Sequence, residues 1–92
     1  MKKIVITGSS GLIGLKLSEF LKEKNFEIIN LQRIKPDNSN VLRWELGENL
    51  PEEAMSADIF IHCAHDNSIY SLKKDIANNI NYLGTQKLVE QI

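Results

Sequence analysis

Residues 3–7 form an unbroken β-branched and apolar run, Lys3-Ile4-Val5-Ile6-Thr7, stopped by Gly8. Apolar character without alternation is the pattern of a strand buried on both faces, as in a parallel sheet. Beyond it, Ile13, Leu17, Phe20, Leu21 and Lys24 recur at three-to-four spacing. That spacing predicts a helix over residues 12–24 with one apolar face, and Ser10 is placed to cap a start near Gly11. Residues 26–31 read as a second strand and residues 41–46 as a third, weaker one. The stretch between them, "IKPDNSN", is rich in turn formers. Residues 50–55 suit one or two helical turns, with Pro51 at the first position and Glu52 and Glu53 at the positive end of the dipole. Residues 57–64 read as a fourth strand. A long helix is expected over residues 71–92, its stripe carried by Ile76, Ile80, Leu83, Leu88 and Ile92.

Strand, helix, strand, strand, helical turn, strand, helix is the order of an α/β, doubly wound, Rossmann-type parallel sheet of about four strands with flanking helices. No repeat or linker interrupts it. The chain stops inside or just after a helix, without a strand to close the sheet, so residues 1–92 are expected to be the first, truncated portion of a longer protein. The uncovered fourth-strand edge would then invite pairing into a homo-oligomer.

Composition narrows the function classes. Eleven Lys and Arg against twelve Asp and Glu leave a net charge of −1. Without a basic stripe, this balance argues against nucleic acid or an anionic membrane as partner. The apolar runs are far too short to span a bilayer, and the one behind Lys2 and Lys3 is too short for a secretory leader. A cytoplasmic protein is the plain expectation. Cys63 is the single cysteine, so no internal disulfide forms, and a small core residue is its simplest reading.

The sharpest chemical signal is "VITGSSGLIG", residues 5–14. A tight strand-to-helix turn aims free backbone N–H groups at a pyrophosphate, and the helix dipole adds attraction. Gly8 would allow the turn, Gly11 the close approach of phosphate, and Gly14 close packing of helix on strand. Ser10, Leu12 and Ile13 complete the candidate cradle. A triphosphate loop is excluded, because Leu15 rather than a Lys-Ser/Thr pair follows Gly14.

"TGSSGLIG" resembles the Thr-Gly-x-x-Gly-x-x-Gly fingerprint of the extended short-chain dehydrogenase/reductases, the NAD(P)-dependent epimerase/dehydratase family. The resemblance continues along the chain. In that family strand two ends in an acid for NAD or a basic residue for NADP, and "IINLQR" has Gln32 in the acid's place and then Arg33. A guanidinium pairs bidentately with a 2′-phosphate, so NADP is favoured over NAD as cofactor. "RWELG" offers Glu45 and Leu46 where the family has Asp-Leu beside the adenine. "FIHCAH" is similar to the family's Ile-His-x-Ala-Ala, with Cys63 and Ala64 in line and His65 departing from alanine. "NYLGTQKLVE" looks like the family's Asn-Val-x-Gly-Thr-x-x-Leu-x-Glu helix segment, which implies Asn81 near the nicotinamide ribose and Gly84 at a close helix contact.

The family's chemistry rests on Tyr-x-x-x-Lys with a nearby Ser or Thr. "YSLKK", Tyr70 to Lys74, has the spacing but follows the fourth strand by only six residues, whereas the family places its pair after a fifth. It is read as a coincidence, so no catalytic residue is assigned. His62 and His65 are three apart at a strand end and would face opposite sides, which disfavours a shared metal. A buried, hydrogen-bonded imidazole is the expected state of His62. Trp44 is expected to pack in the core or at the sheet edge, and the acids of "GENLPEE" to form a solvated surface. The resemblance implies the dinucleotide-binding part of an epimerase, dehydratase or reductase acting on a nucleotide-sugar or related carbonyl compound. The competing expectation is a non-catalytic module that binds NADP as a sensor or scaffold.

Overall fold

The computed structural model describes residues 1–34, 41–66 and 78–92. Four strands form one all-parallel sheet in the order β3-β2-β1-β4: β1 (Lys3–Thr7), β2 (Glu27–Gln32), β3 (Leu42–Arg43) and β4 (Ile59–His62). Helix α1 (Leu12–Glu23) crosses from β1 to β2, and helix α2 (Ile80–Gln91) follows β4. The architecture is a partial Rossmann-type α/β fold. Chain order reverses between β1 and β4, and in open α/β sheets such a switch point opens a crevice at the carboxyl ends of the strands.

Central β1 is buried on both faces, as its unbroken apolar run requires: Ile4, Val5 and Ile6 are all inaccessible. Alternation turns Val5 to one face and Ile4 and Ile6 to the other. Val5 joins Leu31, Trp44, Leu50, Ala54 and Leu88 in the main core. Asp58 fixes the start of β4 against β1, its carboxylate accepting from the Lys3 backbone N–H at 2.8 Å. Among the described residues β4 pairs only with β1, so it is the sheet edge.

Several elements depart from the hydrophobic pattern, each for a local reason. Helix α1 buries Gly14 and Ser18, with Leu17 and Leu21 half-buried, while Ile13 (73 % exposed) and Phe20 (56 %) face outward. Gly14 sets this rotation. A Cβ there would strike the Gly8 carbonyl and lie 2.9 Å from the Ser9 Cα, so the glycine must face the β1 turn. Ile13 and Phe20 are then carried away from the sheet, and Ser18 instead donates to the Asn30 side chain at 3.1 Å. Ser10 does not cap the helix; Gly11 is the N-cap and no side chain bonds there. Asn25, in the left-handed region at φ 69°, ends α1.

Strand β3 is two residues long rather than six. Beyond Arg43 the backbone closes a turn, the Glu48 N–H donating to the Glu45 carbonyl at 3.0 Å, with Gly47 at φ 97°. Trp44 (2 % exposed) fills the core, and its indole N–H donates to the Glu48 carbonyl at 3.2 Å. Residues 52–54 form a single 3-10 turn with Pro51 just outside it, extended at ψ 146°. Strand β4 is trimmed at both ends of the expected span, to Ile59–His62.

The final helix begins at Ile80, because Asn79 is extended and caps it, its carboxamide oxygen accepting from the Asn81 N–H at 2.8 Å. The earlier part of the expected helix, with Ile76, lies outside the described residues. Gly84 and Leu88 are buried, while Leu83 and Ile92 of the expected stripe are exposed. Gly84 directs this too, since a Cβ there would collide with Leu46 and approach the Gly47 N–H to 3.1 Å.

Candidate functional site: a cleft at the strand ends

The carboxyl ends of all four strands open onto one cleft of about 300 Å³. Gly8, Ser10 and Gly11 come from the β1–α1 turn, Leu31 and Arg33 from the end of β2, and Trp44, Glu45 and Leu46 from the turn after β3. Residues 63–66 follow β4, and Ile80 opens α2. Of the residues singled out from the sequence, Gly8, Ser10, Gly11, Arg33, Glu45, Leu46, Cys63, Ala64 and His65 are thus brought together. Leu12, Ile13, Gly14, Gln32 and Asn81 do not line the cleft.

The three glycines have distinct tasks. Gly8 turns the chain at φ 69°, and a Cβ there would come within 2.7–2.8 Å of the Ala64 N and Cα and the Cys63 carbonyl carbon. Only glycine meets both conditions, a left-handed backbone and contact with the chain leaving β4. Gly14 packs the helix, as described. A Cβ at Gly11 would meet only the Gly8 carbonyl, at 3.3 Å, so its remaining surroundings are open. The N–H groups of Leu12 and Ile13 in the first turn find no acceptor among the described residues, and that turn carries no acid. Open space over Gly11, free donors and a positive dipole end fit a phosphate group.

Gln32 takes no part in the cleft wall; its carboxamide donates to the buried Ser9 hydroxyl at 2.8 Å. Among the described residues the cation of that strand end is Arg33, which is exposed and lines the cleft. Across from it, Glu45 is held from outside by Arg43 at 3.2 Å. Arg43 also grips Glu48 at 2.5 Å, and the Glu48 carboxylate accepts from the Glu45 N–H at 2.9 Å. The hydrogen bond from Arg43 holds the Glu48 carboxyl below its ordinary value, and the same bond raises the Arg43 guanidinium. Glu48 is thus a brace of the turn and not merely a solvated acid.

Asn81 acts on the loop after β4. Its carboxamide oxygen accepts from the Asp66 N–H at 2.6 Å and its amide donates to the Asp66 carbonyl at 2.8 Å. Cys63 is half-buried at the cleft wall and not in the core. His65 is exposed at the same wall. The pair Tyr70 and Lys74 lies outside the described residues.

Thr7 carries no site assignment in the sequence, yet its buried hydroxyl holds the chain leaving β4 at the cleft wall. Thr7 Oγ1 accepts from the Cys63 N–H at 3.1 Å and the Ala64 N–H at 3.2 Å, and sits 2.6 Å from His62 Nδ1. The other ring nitrogen, Nε2, is 2.9 Å from Thr85 Oγ1 on α2. His62 is half-buried, edge-on to Trp44 with ring centroids 6.4 Å apart. The signal in the sequence was the co-occurrence of Thr7, His62 and Thr85 in three separate motifs.

The family model for NAD dependent epimerases and dehydratases matches residues 4–92. The chain belongs to the NAD dependent epimerase/dehydratase family. No curated protein and no solved structure matches it significantly. Membership implies an NAD(P) cofactor, and the turn's free donors and open glycine are of the kind such a group needs. No helix among the described residues is long and apolar enough to cross a membrane. Nor do three His, Cys, Asp or Glu side chains converge among them as a metal site would require.

Proposed function

We propose that this epimerase/dehydratase-family chain is the cofactor-binding part of an NADP-preferring enzyme that acts on a nucleotide-sugar or related carbonyl compound. The observation that carries the reading is the convergence of the glycine turn, Arg33, Glu45 with Leu46, and the segment after β4 on one cleft at the switch point. The N–H groups of Leu12 and Ile13, with the dipole of α1, receive the pyrophosphate above Gly11. Glu45 and Leu46 wall the adenine side, and Arg33 pairs with the 2′-phosphate. Cys63, Ala64 and His65 flank the opposite side, and Asn81 steadies that loop through Asp66. The nicotinamide supplies hydride chemistry when bound. What the described residues contribute is binding and orientation; no acid or base for the reaction is assigned among them.

The NADP preference rests on Arg33 and on Gln32 being occupied with Ser9. Replacing Arg33 with aspartate is expected to weaken NADP binding by about 10- to 100-fold, the worth of one or two charge-assisted hydrogen bonds. NAD binding should hold or improve, since a carboxylate there can accept from ribose hydroxyls. Calorimetric titration of both proteins with both cofactors measures this. Unchanged affinity for NADP in Arg33→Asp would remove Arg33 from the site.

A further inference from the structure

We propose that His62 is the positioning residue of the cleft: as a neutral imidazole protonated on Nε2 it locks α2 to the backbone of Cys63 and Ala64 through Thr7, and proton uptake opens this lock and weakens cofactor binding. The proposal rests on the cofactor reading above for its consequence, though not for its mechanism.

The tautomer follows from the partners of one hydroxyl. Thr7 Oγ1 accepts from the Ala64 N–H and shares the Cys63 N–H with the Thr7 carbonyl, to which that N–H also donates at 3.1 Å. Both of these partners are donors, so the hydroxyl's own proton needs a different group as acceptor. The remaining partner is His62 Nδ1 at 2.6 Å, which therefore accepts. Nδ1 carries no proton, the ring is neutral, and Nε2–H donates to Thr85 Oγ1 at 2.9 Å. One polarised line of hydrogen bonds then runs from Cys63 and Ala64 at the cleft wall, through β1 and the imidazole, into α2.

A second proton on His62 breaks this line at one point. Nδ1 becomes a donor, so the Thr7 hydroxyl proton loses its acceptor and the ring N–H competes with the Ala64 N–H for the oxygen, while the Cys63 N–H keeps the Thr7 carbonyl. Among the described residues no charged side chain bonds the ring. From β1 the ring meets Thr7, from α2 Thr85, and from the turn after β3 Trp44, none of them charged. The titratable neighbours along its own chain are Cys63, His65 and Asp66. Burial correspondingly holds the imidazole below its ordinary value of 6.5. The sign follows. A depressed folded value makes the lock complete above the ordinary imidazole value and progressively lost as pH falls through the folded one.

The test uses the 92-residue chain and two variants. Long-range proton–nitrogen correlation spectra at pH 7.5 should show His62 protonated on Nε2 alone; protonation on Nδ1 overturns the proposal. Amide exchange should show the protection of Ala64 falling about tenfold between pH 7.5 and 5, the worth of one buried hydrogen bond. In His62→Gln, whose amide can accept and donate without titrating, that protection should not depend on pH. Thr85→Val should lower it already at pH 7.5 by freeing the α2 end. Equal pH dependence of Ala64 in wild type and His62→Gln would overturn the lock.

Affinity for NAD, which lacks the titrating 2′-phosphate, should weaken about five- to tenfold over the same range in wild type only. A pH dependence shared with His62→Gln would break the link to the cofactor. Should NAD bind at neither pH to either protein, the cofactor assignment is what falls, and the exchange data alone decide the lock.

Discussion

A Gly11→Val chain is expected to fold and to bind neither NADP nor NAD measurably. Gly11 has ordinary extended angles, φ −77° and ψ 171°, that a β-branched residue adopts readily. The first atom added meets only the Gly8 carbonyl, at 3.3 Å. The cost to the fold is that of a poor N-cap, about 1 kcal/mol, which lowers the Tm of a domain this size by about 4–8 °C. The added methyl groups occupy the space over the first turn of α1, where a phosphate must come within hydrogen-bond reach of the Leu12 and Ile13 donors. Losing two charge-assisted bonds of about 1.5–3 kcal/mol each weakens binding by at least about 100-fold. Thermal denaturation followed by circular dichroism, with calorimetric titration, measures the two halves. Full affinity in a folded Gly11→Val chain would mean that no phosphate approaches this turn.

Gly8→Ala is expected to do the reverse and destroy the fold. The position is left-handed, which costs a residue with a Cβ about 1–2 kcal/mol. The Cβ also falls within 2.8 Å of backbone atoms of Cys63 and Ala64, which cannot swing aside as a side-chain tip can. Relieving that overlap means parting β1 from the chain leaving β4, where overpacking of this kind adds about 1–3 kcal/mol. The sum, about 2–5 kcal/mol, is a large share of the roughly 5–15 kcal/mol available to a small domain. Denaturant unfolding should show a greatly lowered midpoint or no folded baseline. A Gly8→Ala midpoint close to that of the parent would contradict the close approach of the two segments.

The two variants separate parts of one motif that the sequence presents as equivalent glycines. Spacing alone named the turn and its strand-to-helix setting, because periodicity and chain order are local properties. Which glycine answers to the fold and which to open space depends on what the chain brings against each one. For Gly8 that is the segment after β4, some 55 residues away in the chain and invisible to any local pattern. The same limit explains the helices. Apolar spacing predicts a stripe through Ile13 and Phe20, but Gly14 against Gly8 turns α1 to another face; in α2, Gly84 against Leu46 keeps Leu88 of the expected stripe inside and leaves Leu83 and Ile92 outside. Close approach of the helix backbone outranks side-chain hydrophobicity at both places. The third strand ends early for a different reason. Its expected span ran through Glu45 and Leu46, where the Arg43, Glu48 and Trp44 side chains stabilise a turn instead.

Candidate binding residues were legible wherever a motif carried them, and the cleft gathers nine of the fourteen. Gln32 and Asn81 carry motif positions as well, but their amides are spent on Ser9 and Asp66. Thr7 stayed hidden because a threonine ending a β-branched run looks like strand composition. Its role appears only when His62 and the Cys63 and Ala64 N–H groups arrive from across the sheet.

Whether the cleft at the strand ends holds a dinucleotide can be read from backbone amide resonances of isotope-labelled protein titrated with NADP. Saturable changes are expected to concentrate at Gly8, Ser10, Gly11, Leu12 and Ile13, with Arg33, Glu45, Leu46 and residues 63–65 following at the same cofactor concentration. A folded chain whose spectrum stays unchanged at millimolar NADP and NAD, or whose changes gather on the exposed face of α2 instead, would contradict binding in the cleft.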